Sequence, residues 1–240
     1  MATIHYRRLR PLAAALAAAA IACGGDLTLP DSSGAGLDLS KVRGDGQTGA
    51  VGEALADPVV VRVLTEGGQP VAGRKVAFLL PEGESGAVDP DTAVTNGSGE
   101  ALSHWVLGPE TGEHALDARI VTEAADGPTT RFLASAVAGP PDTLRAVSPL
   151  FQPGRRGQTL TDPLVVAVVD RFGNPVAGFE VAWEVTAGDG ELSATRTPTD
   201  GSGEASVIWT LGGGIGVQKV SASVTGAAGS PVTFSATVLF

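Results

Sequence analysis

The 240-residue chain has a single cysteine, Cys23, and three histidines, of which His5 lies near the N-terminus. One cysteine excludes an intramolecular disulfide, so whatever folds here stands on core packing alone. Basic residues are scarce, with 16 Lys and Arg against 26 Asp and Glu. Nucleic acid needs clustered cations, and this balance excludes it as a partner. Aromatics make up only 5% of the chain, and its apolar N-terminal run, residues 12–22, is too short for a spanning helix of about 20 residues. Glycine (33) and proline (16) are abundant, which fits many short strands joined by tight turns. Hydrophobic residues at 43%, set in regular alternation, predict that those strands fold rather than stay disordered.

The chain is organised around a duplication. GQPVAG at 68–73 returns as GNPVAG at 173–178, and residues 57–80 match 162–185 at 12 of 24 positions. Residues 96–108 match 200–212 at 8 of 13, Trp105 and Leu107 answering Trp209 and Leu211. The offset shrinks from 105 to 102 by Phe132 and Phe234. Turns absorb such length changes and strands do not.

Ahead of the repeats, Arg7, Arg8 and Arg10 precede the Leu/Ala/Ile run over 12–22, the three-part form of an export signal. Removing residues 1–22 leaves 13 basic against 26 acidic residues, a formal charge of about −13. The string AIAC ending at Cys23 resembles the bacterial lipoprotein box, with Ala20 where Leu is usual. That resemblance implies that Cys23 becomes the first mature residue and carries the lipid that attaches the protein to a membrane. Several acyl chains on one residue hold where a single chain binds only marginally. Residues 23–35, rich in Gly, Ser, Pro and Asp, predict a lipidated flexible tether.

Period-two alternation reads the strands of each copy. Val59, Val61 and Val63 share an inner face, as do Leu164, Val166 and Val168. The next strand turns Val76, Phe78 and Leu80 inward, or Val181, Trp183 and Val185. After the turn NGSGEA or DGSGEA come Ser103, Trp105 and Leu107, or Val207, Trp209 and Leu211. Leu116, Ala118 and Ile120 follow, and Phe132, Ala134 and Ala136 close the copy. About seven strands in roughly 100 residues, twice over, predict an all-β chain of two tandem β-sandwiches, residues 36–138 and 139–240.

The two copies, VVRVLTEGGQPVAGRKVAFLL…TNGSGEALSHWVLG and VVAVVDRFGNPVAGFEVAWEV…TDGSGEASVIWTLG, resemble bacterial immunoglobulin-like repeats of the invasin/intimin type (Big-1-like). The hallmarks are D-x-x-G-N-P-V-A-G, T-D-x-x-G-x-A and a W-x-L-G ending. The first copy departs at 66–69, where Glu-Gly-Gly-Gln replaces the usual pattern. The resemblance implies tandem immunoglobulin-like domains used as stalks, spacers or adhesive tips. Fold alone does not choose among them.

Chemistry-bearing residues are thin. His104 and His114 read as solvent-facing strand residues, without a cysteine or carboxylate at ligand spacing. Asp89 and Asp91 in the first copy, and Asp189 and Glu191 in the second, sit in Gly-rich loops where calcium or plain turn formation would each use them. The GSG motifs lack the helix and lysine of a phosphate cradle, and no serine sits in a nucleophile elbow. No cofactor, metal or catalytic group is expected. The one local concentration of positive charge is a weak candidate contact loop, Arg155 and Arg156 with Arg171 and Phe172.

These readings predict a non-catalytic, envelope-anchored lipoprotein, at the outer membrane or cell surface, presenting two domains to a protein or glycan ligand. The chain closes in a strand at Phe240, which predicts that no catalytic domain follows on this polypeptide. The competing classes are a periplasmic or envelope spacer without a ligand and a carbohydrate-binding accessory module. Inward placement of Trp105, Trp183 and Trp209 counts against the last.

Overall fold

The computed structural model describes residues 36–122 and 127–239. Cys23, the export signal and the tether lie outside the described residues. The first half contains β1 (Leu37–Arg43), β2 (Gln47–Ala50), β3 (Val59–Thr65), β4 (Lys75–Leu79) and β5 (Gly86–Asp89). It is completed by β6 (Thr92–Val94), β7 (Glu100–Leu107), β8 (Gly112–Ile120) and β9 (Thr129–Val137). The second half runs through β10 (Thr143–Ala146), β11 (Phe151–Arg155), β12 (Leu164–Val169), β13 (Glu180–Ala187) and β14 (Glu191–Leu192). Then come β15 (Arg196–Pro198), β16 (Glu204–Val207), β17 (Trp209–Thr210), β18 (Gly216–Ser223) and β19 (Val232–Leu239).

Each half is a two-sheet sandwich. In the first, the sheet β1-β3-β7-β5 faces the sheet β2-β9-β8-β4-β6. In the second, β10-β12-β16 faces β11-β19-β18-β13-β15, and the two-residue pair β14-β17 replaces the β5 edge because the long strand breaks at Ile208. No strand pairs across the two halves among the described residues. Each half has its own hydrophobic core.

The inner faces are those the alternation predicts. Val59, Val61, Val63, Phe78, Trp105, Leu107, Leu116 and Phe132 fill the first core, and Leu164, Val166, Val168, Trp183, Trp209, Leu211 and Phe234 the second. Trp183 lies against Phe234 with ring centroids 6.3 Å apart and donates its indole N–H to the Thr197 hydroxyl. The strand count exceeds the expected seven for two reasons. β5 and β6 lie in what reads as a Gly- and Asp-rich loop, and each turns a single residue, Val88 or Ala93, partly toward the core, so no alternation marks them. The opening segment also divides: β1 pairs with β3 in one sheet, and β2 crosses to the other and runs parallel to β9. β10 and β11 repeat the division.

The two sequence hallmarks are parts of one lock. The side-chain oxygen of Asn96 or Asp200 accepts the N–H of Ser98 or Ser202 and of Glu100 or Glu204, closing the GSGEA turn. Gly99 and Gly203, both at φ 74°, then cross over the preceding strand. A Cβ there would stand 2.7 Å from the carbonyl oxygen of Val63 or Val168, so only glycine fits. The hydroxyl of Thr95 donates to the Val71 carbonyl and accepts the Arg74 N–H. Thr199 does the same between Val176 and Phe179.

Truncating Trp209, 1% exposed at the centre of the second core, creates a large cavity. Trp209→Ala should therefore cost about 3–5 kcal/mol in a denaturant unfolding curve. A loss under about 1 kcal/mol would remove Trp209 from the load of the core.

Candidate functional site

β12 delivers Asp170, 2% exposed, to the start of the turn Asp170–Pro175, at the end of the second sandwich that meets the first. Its Oδ1 accepts the N–H groups of Phe172 and Asn174, both at 2.9 Å. Its Oδ2 accepts the Asn174 side-chain amide at 3.0 Å and the N–H of Gly139, in the connector, at 3.0 Å. The other amide hydrogen of Asn174 reaches across to the carbonyl oxygen of Pro109 in the first sandwich, 2.7 Å away. One carboxylate thus holds a turn, the connector and, through Asn174, the neighbouring domain. Pro140 and Pro141 follow directly and stiffen the passage into β10.

Arg171 and Phe172 sit on the same junction. The Arg171 guanidinium lies 4.7 Å over the Phe172 ring and donates to Glu53 Oε1 at 3.1 Å and to the Gly52 carbonyl. Gly52 makes that approach feasible: at φ 69° it has no side chain, and a Cβ would lie 2.6 Å from the Phe172 ring. Val51, Glu53, Gly139, Pro140, Arg171 and Phe172 line the small cleft that remains between the sandwiches.

Burial pushes the Asp170 carboxyl up. Hydrogen bonds from the Asn174 side chain and from the N–H groups of Gly139, Asn174 and Phe172 outweigh it and hold the group below its ordinary value. The first copy has no such clamp. Thr65 stands where Asp170 does and Gln69 where Asn174 does, and Thr65 merely closes its own turn by accepting the Gln69 N–H.

The four residues of the expected contact loop do not form one patch. Arg155 ends β11 and Arg156 follows it, ahead of β12, whereas Arg171 and Phe172 follow the far end of β12. A six-residue strand of about 20 Å separates the pairs, one at each end of the second sandwich. Arg155 and Arg156 are exposed. Their loop lies beside the Gly212–Gly214 turn, Gly157 donating to the Gly212 carbonyl. Sequence spacing missed this because the two pairs are 16 residues apart, close in number but a strand length apart in space.

His114 also departs from its expectation as a solvent-facing residue. It is 5% exposed, with Nδ1 3.0 Å from Glu84 and Nε2 2.9 Å from the Glu110 carbonyl oxygen. Gln218 occupies the matching place in the second copy and spans Gly212 and Gly214 in the same way. Both residues therefore pin an end turn. The alternation of the strand, which places His114 with Leu116 and Ala118, carried that signal. His104 is exposed, as expected. Asp189 accepts the N–H groups of Gly213 and Gly214, which is a turn role. Among the described residues no three His, Cys, Asp or Glu side chains gather as a metal site.

Residues 159–237 match the family described as bacterial Ig-like domain (group 1). The match lies within the second sandwich. The first sandwich repeats the motifs and strand order of the second, so the chain folds as a tandem pair of Ig-like β-sandwiches. Among solved structures, the Escherichia coli adhesin FdeC is 20% identical at a TM-score of 0.54, over 86% of this chain and 65% of that one. The D0-D1 domain of intimin is 22% identical at a TM-score of 0.34, over 83% of this chain and 94% of that one. Yersinia pseudotuberculosis InvD is 16% identical at a TM-score of 0.47, over 86% and 58%. No curated protein sequence matches the chain significantly.

The clamp between the Ig-like domains has a measurable signature. Asp170→Ala should cost about 2–3 kcal/mol in the unfolding of the full chain, because buried donors lose a charged acceptor. A carboxyl held below its ordinary value stabilises the fold above the unfolded pKa of about 3.9, and that contribution is lost as pH falls through the lower folded value. The wild-type melting temperature should therefore fall below about pH 4, and the Asp170→Ala chain should show a shallower fall. Parallel curves for the two proteins would remove Asp170 from this role.

Proposed function

We propose that the protein is a non-catalytic, lipid-anchored envelope protein that holds two Ig-like domains away from its membrane for contact with a protein or glycan. The observation that supports this reading is the contrast between the two ends of the second domain. One end is clamped to the first domain through Asp170, Asn174 and Arg171. The other carries Arg155 and Arg156, which are exposed and enter no ion pair among the described residues. A clamped pair of sandwiches keeps that second end at a set distance and direction. The likeness to FdeC and intimin supports a fold used in adhesins, and the adhesive role itself is this proposal.

The stiff junction would equally serve a spacer without a ligand, so location decides between them. Intact cells treated with protease should lose the second domain while a periplasmic control protein survives. Protection of that domain until the outer envelope is opened would favour the periplasmic spacer. Anchoring is tested separately: Cys23→Ser should move the protein from the membrane to the soluble fraction, and unchanged fractionation would refute lipidation at Cys23.

A further inference from the structure

The outer face of β11, β19 and β18 carries a surface that the first domain does not share. Phe151, Pro153 and Arg155 point outward on β11, and Val217 and Lys219 on β18. The register sets Pro153, Thr237 and Val217 in one row and Phe151, Ser235 and Lys219 in the next. With strands about 4.8 Å apart, each row spans about 10 Å. Phe151 is 54% exposed, Val217 57%, and Ile215, just ahead of β18, 49%. Beside the β11 edge, Phe151 and Pro153 also line a cleft with Pro149 and Leu160.

The duplication supplies an internal control. Gln152 and Gly154 of β11 meet β19 as Gln47 and Gly49 of β2 meet β9, so the two faces can be matched position by position. Where the second domain has Phe151, Pro153, Ile215 and Val217, the first has Gly46, Thr48, Thr111 and Glu113. The core does not require the apolar set, because the first domain folds the same strands without it. On the first domain's counterpart face Arg131 pairs with Asp117 through two hydrogen bonds of 2.7 Å, beside the exposed Glu113, Leu133 and Val137. In the second domain Lys219 and Arg155 are on this face and Arg156 beside it, all three exposed and without an ion pair among the described residues. The outward positions of β11, β18 and β19 whose side chains are described include no carboxylate.

An exposed apolar centre next to arginine has the composition of a protein interface. We infer that this face docks a protein partner whose own surface is apolar at its centre and bears carboxylates around it. The three unpaired cations select that charge, on a chain whose 26 acidic residues otherwise outnumber 16 basic ones. An anionic membrane would also attract the cations, but the net charge of −10 repels it from the rest of the molecule. The inference rests on reading the second domain as the contact-bearing one.

The test selects a random linear peptide library, displayed on phage, against the full mature chain. Recovered peptides should share acidic residues next to aromatic or aliphatic ones. Their affinity should fall more than about tenfold on Phe151→Ser/Val217→Glu, and separately on Arg155→Glu/Arg156→Glu. All four positions are exposed, and thermal melts of both variants should match the parent. No shared acidic-apolar sequence, or binding to both variants within about twofold of the parent, would overturn the assignment. So would binding of the parent to phosphatidylglycerol vesicles in place of peptides. The selection uses purified protein, so its failure would remove this surface, whereas failure of protease shaving would remove the cell-surface reading.

Discussion

Thr95 and Thr199, each 4% exposed, donate a hydroxyl hydrogen to a carbonyl of the P-V-A-G turn and accept an N–H from the segment that follows it. A buried hydroxyl with both capacities used stabilises, and one left unpaired costs. Each threonine therefore works only if the P-V-A-G turn and the Asx-closed GSGEA turn meet in one relative position. Gly99 or Gly203 sets that position by passing directly over a strand carbonyl. Fixing these two turns fixes the ends of β3, β4 and β7 in the first domain, and of β12, β13 and β16 in the second. Those strands carry the valines and tryptophan of each core. The hallmark residues are thus one contact seen in separate stretches of sequence.

On that shared base the second copy has changed what its turn does. Replacing the Thr65 and Gln69 of the first copy by Asp170 and Asn174 converts a self-contained turn into a joint. The carboxylate needs several donors to be buried ionised, and it draws them from its own turn, from Asn174 and from the connector at Gly139. Asn174 then has one amide hydrogen left, which goes to Pro109. The D-x-x-G-N-P string is accordingly a demand of the junction, and the departure of the first copy at 66–69 follows from having no sandwich packed on that end among the described residues.

Much of this was legible in the sequence because the cores are written in period two. Val59, Val61 and Val63, or Leu116, Ala118 and Ile120, have one buried face, and alternation reports that directly. β5 and β6 were not legible, since three- and four-residue strands with one half-buried side chain each have no pattern to show. The crossing of β2 to the opposite sheet left no signal either, because four residues of Gln-Thr-Gly-Ala resemble a loop. His114 reads as solvent-facing by its residue type, although its position in the alternation is inward. Arg171 and Phe172 read as a contact in the sequence, and they make one with Gly52 and Glu53 of the same chain. Sequence gave their unusual character and could not give the partner, which lies 118 residues away in the chain.

The two domains answer a question that neither would answer alone. Asp170, Asn174 and Gly52 account for the difference between the copies at the junction. They do not account for Phe151, Pro153, Ile215 and Val217, which lie toward the opposite end of the second domain and contribute to neither core. Keeping apolar side chains in water there opposes solubility and adds nothing to the fold. The junction and this face therefore need separate causes. One is the joint, and the other, on our proposal, is contact with a partner outside the chain.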